Sequence, residues 1–96
     1  MVVIQRIATR PSLDIPFFTT TDDFLAYRDA TYINTGRLIY EAIRSDEFNL
    51  TRKLSFPIDA DYDAYDTDPK VLAHRVEENA YYERNGVISN RTVTRS

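Results

Sequence analysis

An α+β domain built on one antiparallel sheet is the fold class this sequence predicts. Three observations carry that prediction. Extended, β-branched stretches lie near both ends and in the middle of the chain. Two segments between them carry apolar residues at helical spacing. Each helical segment also has a recognisable start and a glycine stop.

Residues 2–9 are β-branched and partly alternating, the first strand, and Arg10-Pro11-Ser12 ends it. Leu13 to Phe18 is apolar but broken by Pro16, which reads as a packed loop. Thr21, followed by Asp22 and Asp23, reads as a cap with acids in the first turn. Ala26, Tyr27, Ala30 and Ile33 continue at helical spacing, and Asn34-Thr35-Gly36 is the stop. Helix 1 therefore spans about 21–34. Leu38 to Ile43 could prolong that helix. A strand over 37–44 fits better, because Gly36 interrupts the helix and residues 45–49 make a connection of hairpin length. Residues 50–58 alternate, with Arg52 the one polar residue on the apolar side.

Pro57 to Asp68 reads as an Asp-rich loop. Asp68-Pro69 then opens the second helix, proline being well placed at a first helical position. Leu72, Ala73, Val76, Ala80 and Tyr81 form its expected inward stripe, while Glu77, Glu78 and Glu83 read as its solvated face. Asn85-Gly86 stops it, with Gly86 expected in a left-handed conformation, and residues 87–95 form the last strand. The order β-α-β-β-α-β is that of a ferredoxin-like sandwich, with two helices on one face of the sheet. Residues 1–96 are expected to make a single domain.

Composition narrows the function classes. The 96 residues are 43% hydrophobic and include seven Tyr, five Phe and no Trp. That suffices for a packed core and for half-buried aromatic surfaces. With no cysteine, disulfides, thiolate metal sites and thiol nucleophiles are excluded. A net charge of −3 argues against nucleic acid as a partner. No apolar run has the length of a signal peptide or membrane span, so no membrane is expected and the location is read as cytoplasmic. Two glycines cannot make a phosphate loop, and no nucleophile elbow is present. Strands 1 and 2 both contain consecutive apolar residues, which point to opposite faces. The sheet face away from the helices therefore needs a cover, and a second copy of the chain is the simplest one.

The middle of the chain resembles the antibiotic-biosynthesis-monooxygenase-like group of dimeric ferredoxin-like proteins. The matching features are Gly36-Arg37-Leu38-Ile39-Tyr40-Glu41, Arg44-Ser45-Asp46-Glu47, Tyr65-Asp66 and Leu72-Ala73-His74-Arg75, within residues 36–83. Where a second histidine is common in the group, this chain has Glu78. The resemblance implies a dimeric α/β barrel. It also implies a scaffold that binds or oxidises a small aromatic or hydrophobic molecule without a cofactor.

His74, the one histidine, is the candidate catalytic residue, a general base near neutral pH. The plainer reading makes it a helix residue bonded to a neighbour or to water. Tyr40 and Tyr81 are candidate walls of a small-molecule pocket between helix 2 and the sheet. Tyr81 and Tyr82 point about 100° apart, so one of them faces the core. Asp59, Asp61 and Asp63 begin like a calcium loop, but Ala64 and Lys70 stand where the turn glycine and the bidentate acid belong. No metal is expected. Arg6, Arg10, Arg91 and Arg95 fall on two strands that would be neighbours, an anion-binding strip or a set of cross-strand and dimer contacts. Two functions compete: a cofactor-independent small-molecule enzyme or binder, and a non-enzymatic interaction or assembly protein such as a small viral or accessory subunit. An enclosed cavity beside His74 separates them.

Overall fold

In the computed structural model the described residues are 1–44 and 46–96. Ser45, at the hairpin connection, lies outside them. The chain runs β1 (Val2–Thr9), α1 (Asp22–Arg28), a π-helical turn (Asp29–Ile33), β2 (Ile39–Arg44), β3 (Asn49–Phe56), α2 (Asp59–Asp66), α3 (Pro69–Asn85) and β4 (Ile88–Arg95). The sheet order is β2-β3-β1-β4, with every neighbouring pair antiparallel. This is the expected ferredoxin-like topology.

Local chemistry sets the boundaries. Thr21 accepts from the Phe24 N–H and starts α1. Gly36, at φ +76, turns the chain after the π-helical turn into β2. Asp68 accepts from the Lys70 N–H, Pro69 follows it, and α3 closes on Gly86 at φ +68.

Two expectations for the second half are corrected. The Asp-rich stretch forms α2 rather than a loop. Asp59 and Asp61 sit in its first turn, where the helix dipole favours negative charge. Tyr62 and Tyr65, one turn apart, are both buried, with their rings 5.6 and 5.2 Å from that of Phe56. Packing on Phe56 overrides the poor helix propensity of Asp. The sheet's helix face is accordingly covered by three helices, not two.

The inward stripe of α3 is the other correction. Leu72 and Val76 are exposed, Val76 at 69%. The inward face is Val71, His74, Arg75, Glu78 and Tyr82. Glu78, expected in solvent, is fully buried. Its partners on the sheet explain the exchange.

Alternation along β1 points Val2, Ile4, Arg6 and Ala8 at the helices. Val2 and Ile4 belong to the larger core cluster, with Phe24, Tyr32, Leu38, Leu54, Phe56, Tyr62, Tyr65 and Val71. Ala8 belongs to a smaller one, with Tyr82 and Val87. Arg6 stands between them, opposite Arg52 of β3 on one side and Arg91 of β4 on the other. A row of three arginines thus crosses the sheet between two apolar clusters.

Candidate functional site

The arginine row requires acids. Glu78 reaches down from α3 with its side chain 1% exposed, its Oε2 2.6 Å from Arg52 Nη1 and its Oε1 2.6 Å from Arg6 Nη1. The Arg52 contact is an aligned hydrogen bond, and the Arg6 contact is an ion pair. Tyr82 accepts a further bond from Arg52 at 3.2 Å. Burial pushes the Glu78 carboxyl up, but the Arg52 hydrogen bond and the charges of both arginines outweigh it and hold the group below its ordinary range. Arg91 and Arg75 share Asp66 at 3.4 and 2.8 Å.

Between this row and the helices lies a cavity of about 340 Å³. Its apolar wall is Ile4, Leu54, Phe24, Tyr65 and Val71, with Tyr40 at the β2 side. Arg28, from the end of α1, lies over the Tyr40 ring at 4.3 Å. Five of the chain's ten arginines (Arg6, Arg28, Arg52, Arg75 and Arg91) line the cavity. Among the described residues no carboxylate shares that wall.

His74 forms part of the wall one turn before Glu78. Its side chain is 11% exposed, and its ring stacks on Phe24 with centroids 4.1 Å apart and planes at 7°. Its Nε2 is 4.0 Å from Glu78 Oε2. Burial lowers its pKa below 6.5, only partly offset by the Glu78 charge, and Arg52 and Arg6 lower it further. The imidazole is therefore neutral at pH 7 and able to accept a proton. A second, more open cavity of about 270 Å³ shares His74 and Phe24 and continues towards Tyr27 and Lys70.

Of the residues singled out in the sequence, His74 and Tyr40 meet at one cavity. Tyr81 does not reach it: its ring packs 5.6 Å from Phe18 and its hydroxyl donates to the Pro16 carbonyl. From the arginine strip, Arg6 and Arg91 line the cavity. Arg10 binds the Glu47 carbonyl at 2.7 Å and lies over Phe17, and Arg95 lies over Tyr62. Asp59 faces the N-terminal amine at 3.4 Å, and Asp61 faces Arg37 at 3.8 Å. Among the described residues no group of three His, Cys, Asp or Glu is gathered to hold a metal. No described helix is long and apolar enough to cross a membrane.

Sequence reasoning missed Glu78, and it missed Asp68 as more than a cap. Asp68 accepts hydrogen bonds from the hydroxyls of Tyr27 and of Tyr32, the latter at 2.7 Å. Tyr32 is delivered by the π-helical turn, so this network pins the α1 layer to the start of α3. The available signal for Glu78 was Arg52, a cation on the inward phase of a strand. It requires a buried acid somewhere opposite.

This topology, with a cavity between helices and sheet, defines a ferredoxin-like α+β fold. Among solved structures the chain is similar to SnoaB, a cofactor-independent oxygenase from Streptomyces nogalater, solved as a point mutant. The TM-score is 0.61 at 9% identity, over 99% of this chain and 90% of SnoaB. At that identity the likeness shows the fold. No protein-family model and no curated protein matches the chain.

Proposed function

We propose that this protein binds a small, flat aromatic molecule in the cavity beside His74 and oxidises it with dioxygen, without a cofactor. The observation that carries the reading is a neutral, largely buried imidazole on the wall of a 340 Å³ cavity with an aromatic lining. The fold shared with a cofactor-independent oxygenase supports it.

The chemistry needs a substrate with an acidic C–H or O–H group. His74 takes the proton as general base. The carbanion left behind, or in a phenolate the ring carbon that shares its charge, transfers its electron pair to dioxygen and forms a carbon–oxygen bond. The peroxide anion regains the proton from His74. Substrate plus dioxygen gives a substrate hydroperoxide, with atoms and electrons in balance. The arginines around the cavity stabilise the anionic stages.

The test is oxygen uptake with a panel of electron-rich polycyclic phenols. The reading expects uptake proportional to protein, unaffected by a chelator and equimolar with substrate. Absence of both uptake and binding across the panel overturns it.

The same reading places the active form as a homodimer. The sheet face away from the helices exposes Ile39, Ile43 and Ile88, Ile43 at 59% and Ile88 at 64%, with Val3 and Ile7 on the same face. Sedimentation should show a dimer at micromolar concentration. A stable monomer would contradict this placement. The competing assembly-protein reading draws on that same exposed face, but it leaves the cavity and its buried charges without a purpose.

A further inference from the structure

Half of the arginines of a net-acidic chain converge on one cavity, which calls for an explanation beyond folding. The five arginines at the wall are matched by three nearby carboxylates: Glu78 shared by Arg6 and Arg52, Asp66 shared by Arg75 and Arg91, and Asp29 beside Arg28 at 3.3 Å. His74 is neutral, so the site carries an excess of two positive charges. The carboxylates stand behind or beside the arginines and not on the wall. Guanidinium groups suit planar oxyanions in particular.

Apolar residues line the same space. Ile4 and Leu54 from the sheet and Val71 from α3 supply aliphatic surface, and Phe24, Tyr40 and Tyr65 supply aromatic faces. One molecule satisfies both halves: a flat ring system bearing an anionic group. We infer that the ligand is an aromatic carboxylate. Its ring system lies against Phe24 and Val71, and its carboxylate is held at the Arg6–Arg52–Arg91 row. This rests on the small-molecule reading above and names the ligand class for that site. The row sets orientation as well as affinity, because it fixes one end of the ring system.

The three cavity arginines of the row differ in what else they do. Arg6 and Arg52 hold Glu78, so their replacement disturbs the core. Arg91 lies on the outermost strand, half exposed, with Asp66 and the Tyr62 hydroxyl as neighbours. It is the member that can be removed with the fold intact.

Calorimetric titration with 2-naphthoate and with 2-naphthamide, its neutral analogue of nearly equal shape, separates the possibilities. The inference expects naphthoate to bind at least about tenfold more tightly, the scale of a charge-assisted hydrogen bond in a partly buried site. The preference should shrink as salt rises. Arg91→Gln should cut the preference several-fold by weakening naphthoate binding more than naphthamide binding, and its melting temperature reports that the fold is kept. Equal binding of both compounds overturns the carboxylate assignment and leaves the small-molecule reading standing. Binding of neither overturns both. Tighter naphthoate binding that Arg91→Gln and an Arg52→Lys variant both leave intact overturns the placement at the row.

Discussion

Glu78→Ala is expected to destabilise the fold by about 3–5 kcal/mol, the usual cost of breaking a buried charge network by removing one partner. Glu78 alone separates the Arg6 and Arg52 guanidinium groups, which face one another across adjacent strands. Without it two like charges remain in an enclosed space, and among the described residues Arg52 keeps its hydrogen bond to the Tyr82 hydroxyl. Urea denaturation of wild type and variant is the measurement, and a loss under about 1 kcal/mol would contradict the account. Replacing Arg6, Arg52 and Glu78 together by Met or Leu removes the desolvation penalty along with the pairing. That triple variant should come out near or above wild-type stability, as apolar replacements of buried ion pairs often do.

The same network makes stability fall with acid. The Glu78 carboxyl is held below its ordinary 4.5, so the stability it contributes is present above that pH and is lost as pH falls through its folded value. His74 acts earlier in the titration. Its folded pKa lies below 6.5, so the unfolded chain takes up the proton first, and stability begins to decline as pH drops under 6.5. Acidification should therefore weaken the fold in two stages.

His74→Gln is expected to lower the rate of oxygen uptake by about 10²–10⁴-fold, the range for loss of a general base. Glutamine keeps comparable bulk against Phe24 and retains hydrogen bonding, so affinity for an aromatic ligand should change far less than the rate. The wild-type rate should rise with pH through the lowered His74 pKa and then level off. A variant that keeps its rate would move the base elsewhere and reduce His74 to a packing residue stacked on Phe24.

Much of this architecture could be read from the chain before any coordinates. Pro11, Gly36, Asp68-Pro69 and Gly86 punctuate it, and each acts through local backbone chemistry that needs no tertiary knowledge. Alternation marked β3, β-branched composition marked β1 and β4, and the Gly36 stop with a hairpin-length connection marked β2. The failures fall where a distant partner decides. Glu78 and its neighbours looked like the wet side of α3, because nothing within the helix reveals that Arg6 and Arg52 await it 72 and 26 residues away in the chain. Leu72 and Val76 looked like the core for the same reason. In α2, Asp-rich composition pointed to a loop, and the anchoring of Tyr62 and Tyr65 on Phe56 reversed it. His74 and Tyr40, singled out by residue type, line one cavity, and Arg6 and Arg91 of the expected arginine strip join them there. The place of Arg52 in that row was not legible, because it depends on the register that aligns Arg52, Arg6 and Arg91.

The central claim is that His74 is a neutral imidazole facing a ligand cavity between α3 and the sheet. Because the chain contains one histidine, its ring gives a single set of imidazole NMR signals that can be followed without assignment. A pH titration of those signals, repeated with saturating 2-naphthoate, tests the claim directly. The account predicts a midpoint below 6.5 in the free protein and a clear displacement of the ring signals when the aromatic acid binds. A midpoint above 6.5, with signals that the ligand leaves in place, would contradict it.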